Sequence, residues 1–153
     1  MQRTLKRYIP YVQQAALALS VAGLVFYYMN YKGASELLML GLSLLSGAYF
    51  LWAFLPMDTP PHADPDAYAA LIHKLIYISC SVLLIGVLFT LLHLEGHHEM
   101  MLIGGVALMT ALAGAIILMI KKRENFVSLR DAFIRGISSA LLGLLVLSQN
   151  ANP

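Results

Sequence analysis

Long apolar stretches constrain the fold of this chain more than any other feature of its sequence. A helix that crosses a bilayer needs about 20 consecutive, mostly apolar residues, and stretches of that kind begin near Tyr8, Ser35, Leu75 and His98. Charged residues make up only 12% of the chain, whereas soluble domains carry about 25%. The 153 residues are therefore predicted to form a single, all-α integral membrane domain.

Proline and capping residues set the limits of the predicted helices. The first helix is expected at residues 8–30 and the second at residues 35–55, where Pro56 ends it. A proline-rich loop follows, and the third and fourth helices are expected at residues 65–92 and 98–120. Ser128 and Asp131 have the spacing of a capping box, which predicts a fifth helical segment at residues 128–149.

The fifth segment allows two interpretations. Charged residues crowd its start, namely Arg130, Asp131 and Arg135. The segment can cross the bilayer with the Arg135 side chain reaching back to the interface. Alternatively, it can lie in the membrane surface as an amphipathic helix, which would leave four spans. Its apolar end, ALLGLLVL, has no polar face, and this favours five membrane-spanning helices.

The lysines and arginines predict the orientation of these helices. Nine of the ten lie before the first helix, near the start of the third, or around the connection between the fourth and fifth. Only Lys32 lies on the opposite side. Because basic residues are enriched on the cytoplasmic side of membrane proteins, we expect a cytoplasmic N-terminus and both short turns outside. The expected location is a bacterial inner membrane, with a multi-pass topology.

The first four helices contain an internal repeat. Residues 23–48 align with residues 86–111 at a constant offset of 63, without a gap, and seven of the 26 positions are identical. Paired glycines and glutamates carry most weight, because acidic residues are scarce in this chain. The sequence therefore predicts a tandem duplicated αα-hairpin, with repeat 1 at residues 8–55 and repeat 2 at residues 65–120, followed by one extra helix.

Each hairpin turn contains the pattern G-x-x-E. Gly33 and Gly96 are expected to end the preceding helix with a positive φ angle. Glu36 and Glu99 then fall in the first turn of the next helix, where a carboxylate meets the positive end of the helix dipole. These four residues are predicted to form a structural turn that is used twice.

The second turn, HLEGHHE, also has the composition of a metal site. His93 and His97 are four positions apart, and His98 and Glu99 add an imidazole and a carboxylate. Imidazole and carboxylate groups are common ligands of zinc and other transition metals. Two observations favour a polar turn without metal. Gly96 is expected to break the helix, and the first repeat has asparagine, alanine and serine in place of the three histidines.

Other site chemistries have little support in the sequence. No acid pair, no base beside a nucleophile and no phosphate-binding loop is visible, so we expect no enzymatic activity. Ionisable residues at mid-membrane depth, which mark transport pathways, are missing as well. His73 and His93 lie at opposite ends of the third helix, so they do not form a two-histidine haem site. We expect no cofactor and no nucleic-acid partner.

Small residues recur every four positions in several helices, which allows close backbone packing. These rows are Ala107, Ala111 and Ala115; Ser43 and Gly47; Gly136 and Ala140; and Ser139 and Gly143. The rows can serve the bundle itself or contacts with other proteins. We therefore predict a small structural or accessory subunit of a membrane complex, in contact with the lipid bilayer and with other subunits or copies of itself. The alternatives are a metal-ion or small-ion binding or transport protein, and a helix-contributing subunit of an electron-transfer enzyme.

Residues 23–58, GLVFYYMNYKGASELLMLGLSLLSGAYFLWAFLPMD, resemble the membrane hairpin of a known family. This is the L component of the gliding-motility and type IX secretion motor of Bacteroidetes, with a turn of the type H-W-P-G-A and an L-I-I-G helix. The turn reads NYKGA in repeat 1 and HLEGH in repeat 2. The motor family carries a glutamate soon after the glycine that matches Gly41, and both repeats lack it. The resemblance implies a common hairpin type and a bacterial lineage, without the motor function.

Overall fold

The computed structural model describes the backbone of residues 2–55, 67–121 and 123–150, and the side chains of residues 8–55, 67–121 and 129–148. This part of the chain forms five helices: α1 (Gln2–Tyr28), α2 (Ala34–Ala53), α3 (Ala67–Leu91), α4 (His97–Lys121) and α5 (Arg123–Asn150). Each contains a stretch that is long and apolar enough to cross a membrane. The prediction of an all-helical, multi-pass membrane protein is confirmed for the described residues.

Two helices begin at least five residues before their predicted starts, whereas α2 and α4 begin one residue early. α1 begins at Gln2 instead of residue 8, and α5 begins at Arg123, before the predicted capping box at Ser128. The predicted start of the third helix at Pro65 lies outside the described residues. The apolar stretch of α5, Leu129–Ser148, belongs to a helix that packs against α3 and α4. This position within the bundle agrees with a fifth span and disagrees with a helix lying on the membrane surface.

α3 is the central helix of the bundle. It packs against α2, α4 and α5, whereas the described part of α1 packs against α2 and reaches α5 only through the Gln13 side chain. In the most apolar stretch of α3, 67% of the residues are buried within the chain. The corresponding share is 22% for α1 and 28% for α5. A helix that is apolar on all sides is typically buried, and α3 fits this rule. α1 and α5 therefore leave most of their surface to lipid or to other proteins.

Glycines bring the helices of each hairpin into backbone contact. A Cβ atom at Gly41 would lie 2.6 Å from the backbone nitrogen of Ser20, and one at Gly104 would lie 2.7 Å from that of Leu83. The same holds one turn away, where Gly23 and Gly86 face the backbones of Leu38 and Met101 at 2.9 Å each. These contacts correspond at the offset of 63 residues, so the two hairpins cross in the same way.

A pair of hydroxyl groups joins α2 to α3 inside the bundle. The Oγ atoms of Ser46 and Ser81 lie 2.8 Å apart, and Ser46 Oγ also donates to the carbonyl oxygen of Ser81 over 3.0 Å. Both side chains are buried. In a membrane, where water does not compete for these groups, such bonds link neighbouring helices.

The first hairpin turn ends α1 with a Schellman motif. Asn30 adopts the left-handed conformation, with a φ angle of 54°. The amide of Tyr31 donates to the carbonyl of Phe26 over 3.0 Å, and the amide of Asn30 donates to that of Tyr27 over 3.1 Å. These two bonds define the motif and satisfy carbonyls that the end of a helix leaves free.

The second turn repeats this geometry at the end of α3. His93 has a φ angle of 52°. Its amide donates to Thr90 over 3.3 Å, and the amide of Leu94 donates to Phe89 over 2.9 Å. Asparagine and histidine tolerate the left-handed conformation better than most residues do. His93 therefore holds the position that Asn30 holds in the first turn, and ends a helix.

The turn glycines have a different role from the one predicted. Gly33 and Gly96 have positive φ angles of 92° and 80°, but they do not end α1 and α3. They precede α2 and α4 instead, and their carbonyls accept the first helical hydrogen bonds, from Leu37 at 3.2 Å and from Met100 at 3.1 Å. Each turn therefore has two left-handed residues with different roles. The first, Asn30 or His93, ends one helix, and the second, Gly33 or Gly96, precedes the next helix.

Candidate functional site

The predicted metal ligands lie at one end of the bundle, which contains both hairpin turns and is called the turn end below. His93, His97, His98 and Glu99 are all exposed there. His97 Nδ1 lies 2.9 Å from the carbonyl oxygen of Leu94. Because a carbonyl only accepts hydrogen bonds, this nitrogen carries a proton and donates it, and it is not free to bind a metal ion in this conformation.

The structure does not assemble these side chains into a metal centre. Within residues 2–55, 67–121 and 123–150, no three histidine, cysteine, aspartate or glutamate side chains lie close enough together to hold an ion. The helix break between His93 and His97 accounts for this, since the spacing of four residues places two side chains on one face only inside a continuous helix. The metal site stays a prediction.

The turn glutamates lie where the dipole argument places them. Glu36 and Glu99 belong to the first turns of α2 and α4. Ser35 Oγ also lies 3.2 Å from Glu36 Oε2, to which it donates a hydrogen bond. Both glutamates are exposed, so their contribution to stability is the modest one of an acidic residue near a helix N-terminus.

A polar cluster that the sequence did not predict lies toward the opposite end of the bundle, where α2 ends and α3 begins. We call it the arginine cluster and define it by Gln13, Trp52, Tyr77 and Arg135. Arg135 Nη1 donates to Gln13 Oε1 over 2.7 Å. The guanidinium carbon of Arg135 also lies 5.4 Å from the centre of the Trp52 ring, a cation–π distance. Arg135 thus links α5 to α1 and α2.

Aromatic rings form the floor of the arginine cluster. The Trp52 and Tyr77 rings are stacked, with centres 6.3 Å apart and planes inclined by 18°. Tyr77 also meets Tyr49 edge-on at 6.0 Å and His73 at 4.8 Å. Tyr49, His73 and Tyr77 are all buried. Each of these contacts joins α2 to α3 or lies within α3. The packed rings therefore hold Trp52 in place beneath the Arg135 side chain.

The arginine cluster was missed because its members come from four different helices. The sequence predicted that Arg135 would reach outward to the interface. Instead, its side chain turns across the bundle, where the Gln13 carbonyl and the Trp52 ring both attract a guanidinium group. Arg130, on the same helix, is exposed beside Asp131, with its Nε 3.9 Å from a carboxylate oxygen. Only the shared depth of Gln13 and Arg135 in their helices pointed to the contact.

A second feature is an apolar groove between α1 and α2, with a volume of about 790 Å³. Its walls include Tyr8 and Val12 of α1 and Leu40, Leu44 and Phe50 of α2. The small residues Ser43 and Gly47 also line it. Both are exposed, and a Cβ atom at Gly47 would meet nothing within 4 Å. We call this surface the α1–α2 groove.

The other rows of small residues are mostly used inside the bundle. Ala111, Ala115, Gly136, Ser139 and Gly143 are buried, Ala140 is partly buried, and Ala107 is exposed. A Cβ atom at Gly136 would lie 3.1 Å from the Leu112 side chain, so this position seats α5 against α4. Among the predicted rows, the one formed by Ser43 and Gly47 therefore differs in having both of its members exposed.

Comparisons with protein-family models, with curated proteins and with solved structures found no match to this chain.

Proposed function

We propose that this protein is a non-enzymatic structural or accessory subunit of a membrane complex, and that it binds a partner through the α1–α2 groove. The apolar surface of its five helices suits contact with lipid. The groove adds a shaped surface, into which a helix of another membrane protein fits. No part of this mechanism needs a bound metal ion or a cofactor.

The observation that carries this proposal is the exposed pair of small residues in the groove. Association of membrane helices depends on close packing at small residues, because lipid is as apolar as the helices themselves. Gly41, on the same helix, already shows this kind of packing, since α1 passes over it at backbone contact. Ser43 and Gly47 offer the same access, and none of the described helices lies over them.

Three further features belong to the proposal. The equal crossings and equal turns of the two hairpins support a tandem duplication. The distribution of lysine and arginine supports a cytoplasmic N-terminus. The resemblance of the hairpin to the gliding-motility motor family supports the inner membrane of a bacterium and a shared hairpin type, with the motor glutamate missing from both repeats.

Site-specific photocrosslinking in native membranes tests the groove directly. A photoreactive amino acid at Leu40 lies in the groove, at a position that is 60% exposed. The matched control is Ile103, the equivalent residue of repeat 2, which is 62% exposed on α4. We expect Leu40 to form a discrete crosslink to one other membrane protein and Ile103 to react mainly with lipid. Equal crosslinking from both positions, or none from Leu40, would contradict a docking groove.

A further inference from the structure

The Arg135 guanidinium is a positive charge held within a membrane-spanning segment. Arg135 lies six residues after Leu129, the start of that segment, which places its Cα about 9 Å along the helix at 1.5 Å per residue. Gln13 lies at a similar depth, five residues after Tyr8 at the start of the span in α1. No charged residue follows Arg135 in the described part of α5, so Arg135 stands at the edge of the uninterrupted apolar stretch, and a long arginine side chain at that edge can reach the headgroup layer.

No acidic side chain of the described residues forms an ion pair with Arg135, although Asp131 lies one helical turn before it on α5. The ion pair formed by the described part of α5 joins Arg130 to Asp131, and both of these side chains point into solvent, at 69% and 75% exposure. The partners of Arg135 are the neutral amide of Gln13 and the Trp52 ring. Charged residues at membrane depth are normally paired. We therefore expect the Arg135 guanidinium to bind an anion that is not part of the described residues.

The arginine cluster also has more hydrogen-bond donors than acceptors. A guanidinium group has five N–H donors, and Gln13 accepts from one of its nitrogens. Nε1 of Trp52 is buried and has no acceptor among the described residues, although a buried indole N–H usually has one. The unused donors of Trp52 and Arg135 are neighbours, since the guanidinium lies over the indole ring. A ligand that fits here supplies oxygen acceptors and a negative charge.

We propose that the arginine cluster binds a phosphate group, with Arg135 as the charged ligand, the Gln13 amide beside it and Trp52 supporting the guanidinium. The planar, forked guanidinium binds phosphate in bidentate geometry, as it does carboxylate, and phosphate is the anionic group that phospholipids carry in their headgroups. The depth of the site favours the phosphate of an anionic phospholipid, and a soluble phosphate has the same chemistry. This inference concerns a site other than the α1–α2 groove and stands independently of the partner proposed above.

The chain contains one tryptophan, and this residue lies in the proposed site, so its fluorescence reports binding directly. The purified protein in dodecyl maltoside is titrated with micelles containing phosphatidylglycerol, with micelles containing diacylglycerol, which has no phosphate group, and with inorganic phosphate. We expect a saturable change in Trp52 emission with phosphatidylglycerol. Because a charge-assisted bond is lost, Arg135→Gln should raise the half-saturation concentration about tenfold or more. Arg130→Gln, at an exposed arginine of the same helix, should leave it unchanged.

Each outcome decides the proposal. Saturation by phosphatidylglycerol or by inorganic phosphate supports a phosphate site, and the more effective of the two identifies the source. An equal response to diacylglycerol, or an equal loss in Arg130→Gln, would show that the arginine cluster does not select the phosphate group. If Arg135→Gln does not fold, Arg135→Lys keeps the charge but loses the fork, and weakened binding with unchanged thermal stability is then the expected result. The absence of any response in the natural chain overturns the proposal.

Discussion

Gly41 of α2 and Ser20 of α1 lie in backbone contact, so close that a Cβ atom on Gly41 would stand 2.6 Å from the Ser20 nitrogen. Gly104 of α4 stands in the same relation to Leu83 of α3, at 2.7 Å. Both contacts are made by main-chain atoms, which cannot turn away as a side chain can. The two hairpins therefore depend on one packing device, repeated at an offset of 63 residues.

Alanine at either crossing glycine should destabilise the protein. Gly41→Ala and Gly104→Ala force the helices of one hairpin apart, and overpacking of this kind costs about 1–3 kcal/mol. Thermal unfolding in detergent, followed by circular dichroism, measures the loss. The matched controls are Gly47→Ala and Gly105→Ala, whose added methyl groups meet nothing within 4 Å. Equal midpoints for a crossing glycine variant and its control would show that the close crossing does not matter.

His93 should matter for its backbone conformation and not for its imidazole. His93→Val places a β-branched residue at a φ angle of 52°, and the left-handed conformation costs about 1–2 kcal/mol for such a residue. His93→Asn, which copies the first turn, should be neutral, and His93→Gly should be neutral or stabilising. Unfolding midpoints of the three variants make the comparison. A loss of stability in His93→Asn equal to that in His93→Val would assign the role to the imidazole.

Zinc should not stabilise the turn end. A metal ion that binds the folded protein at 100 times its dissociation constant adds about 2.7 kcal/mol, which a thermal unfolding curve easily detects. The Nδ1 atom of His97 is engaged with the Leu94 carbonyl, which leaves its Nε2 for a metal ion, but the described residues bring no group of three potential ligands together. We therefore expect the same midpoint with zinc and with a chelator. A zinc-dependent rise that disappears in His97→Ala would instead establish the metal site predicted as the alternative from the sequence.

Cysteine labelling tests the proposed orientation in the membrane. The single cysteine of the chain, Cys80, is buried, and Cys80→Ala provides a background without thiols. In that background, Ser35→Cys and Glu95→Cys place thiols in the two hairpin turns, and Arg130→Cys places one near the other end of the bundle. A membrane-impermeant maleimide added to intact cells should label the two turn positions and leave Arg130→Cys unlabelled. The reverse pattern would mean that the N-terminus is outside.

Local features of the sequence were enough to predict the helices. Long apolar stretches define the spans wherever they occur, because a bilayer allows few other structures. The left-handed residues were harder to assign, since asparagine, histidine and glycine all tolerate a positive φ angle. We predicted that Gly33 and Gly96 would end α1 and α3. In the structure, Asn30 and His93 end these helices. Spacing along the chain cannot distinguish two permissive residues that lie three positions apart.

Features that depend on the arrangement of several helices were not predicted. Arg135 and Gln13 are 122 residues apart in the sequence, and nothing local shows that α5 brings one to the other. The α1–α2 groove likewise depends on how two helices diverge beyond their crossing. The sequence identified Ser43 and Gly47 as a small-residue row, but only the packed structure shows that this row stays exposed.

The measurement that tests the central claim most directly is purification of the protein from its native membranes in a mild detergent, followed by size determination and mass spectrometry. We expect it to elute in a complex with other membrane proteins at a fixed stoichiometry. Exchange of Gly47 for leucine, which fills the α1–α2 groove, should release those partners while the protein itself stays folded. A chain that elutes alone, or only with copies of itself, would contradict its role as a subunit of a membrane complex.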